Sequence, residues 1–504
     1  MKILEAPRRR PAAWLASVVS LLILVVSARV SAQEPTLLSQ GSGGVLELEG
    51  ERRLEITGFR GTLSVRLGKE RELRFAARAI GGEEGPVPVE LWLDGQLLRL
   101  DPQEGTDPLV PLRIEVAVGP ELDLGIDVSD CEIQLAGLHG AIDVRGSRIR
   151  LNARAIDGSL ELAFDESSGT INGVSQGVRL EGRALDVRLE NVDGPVSLAA
   201  SGKSEIHAKG IRGVLEAEVE ETELSVALVT GRLSLEVGAG AVTVDSCSGG
   251  GELRLAEAPL DLRGSSGAFH VETDAEVRFK GHDGPLSILG RGSAVRGAEA
   301  KGGPLEIETD GAEVRLEQVE SKIEIRGSDL EINVTDCKGD LTMKTVYSTI
   351  LVERCEVPVA VENEFGDIEI RGASKLVRVV SRDGNVTLAE FKGTADVKAE
   401  GPLVAIDWVS FTGEESSAVE NARGDVRVTL PMDHRCQIDA QAPRGRVETD
   451  IDELTLSEDG HFAAGLLRGG RGAAPYVKRP SLRLKSTSGD LYLHAGAAAA
   501  EAGP

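Results

Sequence analysis

The feature that most constrains this chain is a nine-residue beat. Apolar residues recur at Val314, Ile323, Ile332, Leu341, Ile350, Val359, Ile368, Val377, Val386, Ala395 and Val404, and each is followed two residues on by another, from Leu316 to Ile406. Apolar pairs two apart mark a half-buried strand, whose side chains alternate between faces. Nine residues are then one strand plus one corner.

A third position separates alternate strands. Five residues after every other start lie Val319, Cys337, Cys355, Ala373, Phe391 and Val409, whereas the intervening equivalents are Ser328, Val346, Glu364, Arg382 and Glu400. The unit is therefore 18 residues with two unlike strands. One unit cannot bury its apolar face alone, but stacked copies can. Upstream the register loosens yet continues, through Val187, Ile206, Leu224, Val242, Leu260 and Val277, and Ile126, Val128 and Cys131 belong to one of the earliest coils. The expectation is an all-β fold: a parallel β-solenoid, right-handed by the general preference for right-handed crossovers, with two strands per coil of roughly 18 residues. Over 121–410 that predicts on the order of 16 coils and a rod roughly 75 Å long. Glycine beside Asp, Asn or Ser in "RGS", "FGD" and "DGN" supplies left-handed or turn conformations at the corners.

Composition agrees with thin layers of small side chains: 41% of residues are hydrophobic but only 3% aromatic, with 60 glycines. Residues 1–32 read as an export signal, with Arg8, Arg9 and Arg10 before an apolar run from Ala12 to Val26 and a small-residue cleavage site at Val30-Ser31-Ala32. The run is short for a membrane span, so cleavage after Ala32 is favoured over a retained anchor. No cysteine follows it, which argues against a lipoprotein. That segment carries five basic residues against Glu5, so the mature chain has a net charge of −26 − 4 = −30. A surface so acidic repels nucleic acid and anionic lipid. Residues 33–120 are expected to form an N-terminal β capping segment and 411–494 a C-terminal β segment with inserted loops, because open coil ends invite edge-to-edge pairing. Residues 495–504 read as a frayed tail.

The phrases "GFRGTLSVRL", "FGDIEIRGASKLVRVVSRDGNVTL", "NARGDVRVTLP" and "STSGDLYLH" resemble the bacterial putative-adhesin family, also called toastrack domains. The resemblance covers about 50–494 and rests on structural glycines and strand positions. It implies an exported β-solenoid linked to the cell envelope, with no established activity and no catalytic residues to carry over. The number of coils exceeds what the family leads one to expect.

The search for chemistry returns little. The five cysteines include no CxxC pair. Cys337 and Cys355 fall one coil apart at the same inward position, which places their Cα atoms about 4.8 Å apart. That suits either a disulfide, with side chains pointing parallel and some strain, or a ladder of buried thiols. The seven histidines are scattered without ligand spacing, so no metal or cofactor is indicated. "GSSGA" at Gly264 lacks the last glycine of a nucleophile elbow. Calcium-binding GGxGxD turns do not recur in tandem. A polysaccharide hydrolase would need paired carboxylates and aromatic platforms. The carboxylates are mostly the polar alternates of strands, and Trp92 and Trp408 are the only tryptophans after the signal. Two outward features qualify as partner-binding candidates: the insertion Thr412 to Asp425, and the loop Gly465–Pro480 with Arg468, Arg471, Lys478 and Arg479.

The expected function is a non-catalytic binding, adhesion or scaffold module, secreted, periplasmic or at the cell surface, engaging an envelope protein or glycan. The alternatives are a polysaccharide-active β-helix enzyme and a self-assembling filament protein.

Overall fold

Each apolar pair of the sequence lies in a strand whose hydrogen-bonded neighbours are the strands one coil before and one coil after it. In the computed structural model, which describes residues 35–50, 52–80, 87–106, 110–411, 415–432, 435–468 and 480–496, these strands form two sheets, and no described residue is helical. Ile323–Ser328 pairs in parallel with Leu341–Val346, setting Ile323 beside Leu341 and Ile325 beside Met343. Glu331–Thr335 pairs likewise with Thr349–Glu353 in the second sheet, setting Ile332 beside Ile350. Seventeen successive coils run from Asp123–Ser129 to Asp425–Leu430. The inward residues of both sheets meet in one continuous core, and each fully buried Val, Leu or Ile contributes about 1.5–3 kcal/mol.

The looser upstream register is the same ladder. Val187 pairs with Ile206, Ile206 with Leu224, Leu224 with Val242, Val242 with Leu260 and Leu260 with Val277. Extra residues are absorbed at corners. In the 19-residue coil the added residue gives two successive left-handed positions, Gly202 (φ 65°) and Lys203 (φ 50°).

The third inward position has a backbone cause. At one corner of fifteen consecutive coils stands a residue with positive φ: Gly137, Ala155, Gly173, Asn191, Gly210, Leu228, Ser246, Gly264, Gly281, Glu299, Gln318, Asp336, Arg354, Gly372 and Glu390. In a plain strand residues 0, +2 and +4 face inward. A left-handed residue at +4 breaks that alternation, and residue +5 enters the core instead. Leu138, Ile156, Val229, Cys247, Val319, Cys337, Cys355, Ala373 and Phe391 are all buried in this way. The next coil shows the converse. No left-handed residue follows Ile406, so Trp408 at +4 fills the core and Val409, expected inward, is 38% exposed. The Trp408 ring packs 5.5 Å from Phe391, and its Nε1 donates to the Gly393 carbonyl at 3.1 Å.

The array does not break at 412–425 as expected. Ser417–Asn421 pairs in register with Ala395–Ala399, and Asp425–Leu430 with Leu403–Trp408. The interval between paired residues is 22 there, from Asp396 to Ala418, instead of 18.

At both ends the spatial order of coils departs from chain order. Arg53–Thr57 and Gly61–Leu67 form a coil lying between Asp123–Ala136 and the strands Leu97–Pro102 and Leu112–Val118. Antiparallel strands follow outward, ending at Thr36–Gly41 in one sheet and Gly43–Glu47 in the other. At the far end the last coil, Ser481–Ser486 with Leu491–Ala495, sits directly on Ser417–Leu430. Arg435–Gln441 and Val447–Thr449 pair with its outer side.

Nine of the fifteen left-handed corner residues are not glycine, and each carries the roughly 1–2 kcal/mol cost of that conformation for an L-residue. Leu228 (φ 54°) is 49% exposed and contributes little packing. Replacing it with glycine relieves the backbone but loosens the unfolded chain by about 0.4–1 kcal/mol. Leu228→Gly is expected to raise stability by about 0.5–1 kcal/mol, read from the urea unfolding midpoint. A lowered midpoint would show that the corner is not strained.

Candidate functional site

The left-handed corner column brings the cysteines of the repeat together. Cys337 and Cys355 follow Asp336 and Arg354, residues with φ 56° and 53°, and both thiols are buried and free. Each thiol donates to a backbone carbonyl, Cys337 Sγ to Thr335 at 4.0 Å and Cys355 Sγ to Glu353 at 3.5 Å, and the interaction of the two stacked thiols, with burial, pushes Cys337 far up. Outside them the corner is sealed by a two-pronged ion pair: Arg354 Nε donates to Asp336 Oδ1 at 2.8 Å and Arg354 Nη2 to Oδ2 at 3.1 Å. That contact holds the Asp336 carboxyl below the usual range. Cys247 lies on the same column several coils upstream. Burial pushes Cys131 and Cys436, elsewhere in the fold, each up to about 12. Thiols so placed are protonated and shielded, which removes them as nucleophiles.

His282 occupies the same column between Ser265 and Ala300, fully buried. Its Nε2 lies 3.3 Å from the Pro285 carbonyl oxygen, and its ring meets Phe269 edge-on at 5.6 Å. Nδ1 is buried without a hydrogen-bond partner. Burial lowers its pKa below the ordinary 6.5, so the ring is neutral in the folded rod. The sequence marks this site only by histidine at a position otherwise filled by small or apolar residues.

Among the described residues, the serine set against a histidine is Ser287, in a chain with His270 and Glu272 on the outer face of the first sheet. The Ser287 Oγ lies 3.3 Å from His270 Nδ1, and His270 Nε2 lies 3.2 Å from Glu272 Oε1. Sequence spacing hid it because His270 and Ser287 pair across strands. Its chemistry is incomplete. Ser287 lies in a strand paired on both sides, so the backbone N–H groups that would form an oxyanion hole are engaged in the ladder. Glu272 also lies 3.6 Å from Arg254.

Elsewhere the outer columns are a mesh of charges. Basic and acidic residues one coil apart pair across rungs, as in Lys338–Glu320 at 2.7 Å, Arg382–Glu364 at 2.8 Å and Arg378–Asp396 at 3.0 Å. An open groove of ≈ 750 Å³ on the first sheet is lined by Glu181, Glu218, Glu236 and Glu272, with Arg254 among them. No group of three or more His, Cys, Asp or Glu among the described residues is placed to hold a metal ion. Of the basic partner-binding candidates, Arg471, Lys478 and Arg479 lie outside the described residues. Arg468 ends the strand Phe462–Arg468, which runs antiparallel to Arg435–Gln441.

These features define an all-β repeat rod with regular, solvated faces. The sequence model of the Toastrack DUF4097 family matches residues 143–494, and the chain belongs to that family. No curated protein sequence matches it. A solved structure, that of a putative cell adhesion protein from Clostridium sporogenes, aligns over 90% of this chain and 100% of its own at 6% identity, with a TM-score of 0.12.

Two measurements test the buried column. The native chain should react slowly with a thiol reagent, and after denaturation without reductant all five cysteines should titrate. Three would report a Cys337–Cys355 disulfide. For His282, the unfolded chain binds a proton below pH 6.5 that the folded rod refuses. Stability is therefore expected to fall as pH drops from 6.5 towards 5, at up to about 1.4 kcal/mol per pH unit. His282→Leu should flatten that slope in denaturation curves across this window, and an unchanged slope would assign the acid sensitivity elsewhere.

Proposed function

We propose that the protein is an exported, non-catalytic rod that serves as a binding, adhesion or scaffold module of the cell envelope, with an envelope protein or glycan as partner. The observation that carries this reading is the continuous parallel stack of seventeen coils. Such a rod, about 80 Å long from these coils alone, presents the same outward position again every 4.8 Å or so. Weak contacts repeated along a rigid face add by multivalency. Membership of the Toastrack family and the signal-like residues 1–32 support the same reading.

A polysaccharide-active enzyme is the less supported alternative. Many of the carboxylates it would need are bound to arginines on the same face, and the Ser287–His270 pair lacks an oxyanion site. A self-assembling filament is compatible with the rod if its terminal strands pair with a second copy.

The test is made in the native host. The protein is expected in the extracytoplasmic fraction with Gln33 as its first residue, labelled by an amine reagent that does not cross membranes. Crosslinking intact cells should then give a discrete adduct with one envelope component. A cytoplasmic chain retaining residues 1–32 would overturn export, and ladders of the chain with itself would replace the binding module by a filament.

A further inference from the structure

Aromatic rings are scarce in this chain, and most lie in the core. Among the described residues Tyr347 is the most exposed ring, standing 60% exposed at the corner between Leu341–Val346 and Thr349–Glu353. Phe365 occupies the same corner one coil on. The two rings stack with centroids 4.7 Å apart and planes within 10°. That distance equals the spacing of paired strands, so the ring planes lie across the rod axis and their outer faces look along it.

The rungs on either side hold carboxylates. Asp329 precedes Tyr347 by one coil, its backbone N–H bonded to the Val346 carbonyl. Asp383 follows Phe365 by one coil, the backbones of Gly366 and Gly384 lying one above the other. The order along the corner is thus Asp329, Tyr347, Phe365, Asp383. Neither aspartate forms an ion pair among the described residues, whereas the adjacent Glu364 is neutralised by Arg382 at 2.8 Å. Rod packing does not require the tyrosine. Its φ is 56°, and two coils earlier the same position is Gly311 with φ 66°.

Each end of the two-ring stack therefore has an aspartate one rung further along the corner. A π-face and a carboxylate both attract positive charge. An aspartate reaches less far from the backbone than a tyrosine or phenylalanine, so a slender cation can lie over the outer part of a ring beside the carboxylate. The net charge of −26 draws cations towards the rod as a whole.

We propose that Asp329, Tyr347, Phe365 and Asp383 form a seat for the arginine or lysine side chain of a basic protein partner. This deepens the reading of the rod as a binding module and rests on it. The site itself is tested on the purified mature chain, apart from where the protein resides.

The probe is the peptide Gly-Arg-Gly-Arg-Gly, titrated by calorimetry at physiological salt. Tyr347→Gly with Phe365→Ala leaves net charge unchanged and is expected to weaken binding roughly fivefold. Glu218→Gln with Glu236→Gln, which removes two charges from the remote acidic groove, should change it less than twofold. Tyr347→Gly alone should melt no lower than the wild type, which separates loss of the seat from loss of the fold. Equal weakening by both double variants would reduce the interaction to diffuse charge and overturn the proposal. So would no measurable binding, or displacement of the peptide by a neutral oligosaccharide. An exported chain that fails this test would lose the seat but keep the envelope assignment. A cytoplasmic chain that passes it would do the reverse.

Discussion

The structure depends on in-register parallel stacking: each residue lies over its equivalent one coil away, about 4.8 Å off. Whatever occupies a position must tolerate its own neighbour in the column. Aliphatic side chains do so without penalty, which is why the core consists of Val, Ile and Leu. Large rings need an accommodation, as where Phe391 and Trp408 tilt by 51° against each other. The Phe279 ring is accommodated because the next residue on its column is Gly297, where a Cβ would come within 1.9 Å of the ring. The same rule sets Cys355 over Cys337 and Arg354 over Asp336.

Stacking also explains how so acidic a chain remains folded. Like charges directly opposite would repel along a column. At many positions opposite signs are set together, across rungs as in Arg378–Asp396 and along strands as in Arg145–Asp143, although Glu218 lies opposite Glu236 and Arg278, Arg296 and Arg315 follow one another. Exposed pairs of this kind contribute at most about 1 kcal/mol each, so their main effect is to avoid a penalty. The surplus negative charge remains as a field around the rod, and partners would meet that field before any particular side chain.

Much of this was legible in the sequence because a stacked repeat turns three-dimensional neighbours into a fixed interval. The strand positions from Val187 to Ile406 and the pairing of Cys337 with Cys355 follow from counting. What counting missed has local causes. The left-handed corner is filled by Asp336, Arg354, Gln318 and Glu390 as readily as by glycine, so residue type did not announce it. Trp408 could not be told from Val409 because both are apolar and one backbone conformation decides between them. The Ser287–His270–Glu272 chain and the Tyr347–Phe365 stack join residues 17 or 18 apart, an interval that the usual site motifs do not use. The terminal coils escaped because their partners are chosen out of sequence order, where no period remains to follow.

That exchange of order at the ends bears on how the rod is completed. Ser481–Ala495 enters between Ser417–Leu430 and the strands that start at Arg435, so the last coil to be made is a wedge inside the structure and not a layer added on top. As the chain emerges from its N-terminus, the edge at Asp425–Leu430 stays open until residues 481–495 have been delivered. Completion is thereby tied to the arrival of that late segment. A chain cut short there would leave a missing rung beneath its own outermost strands, and the rod would be unfinished instead of merely shorter.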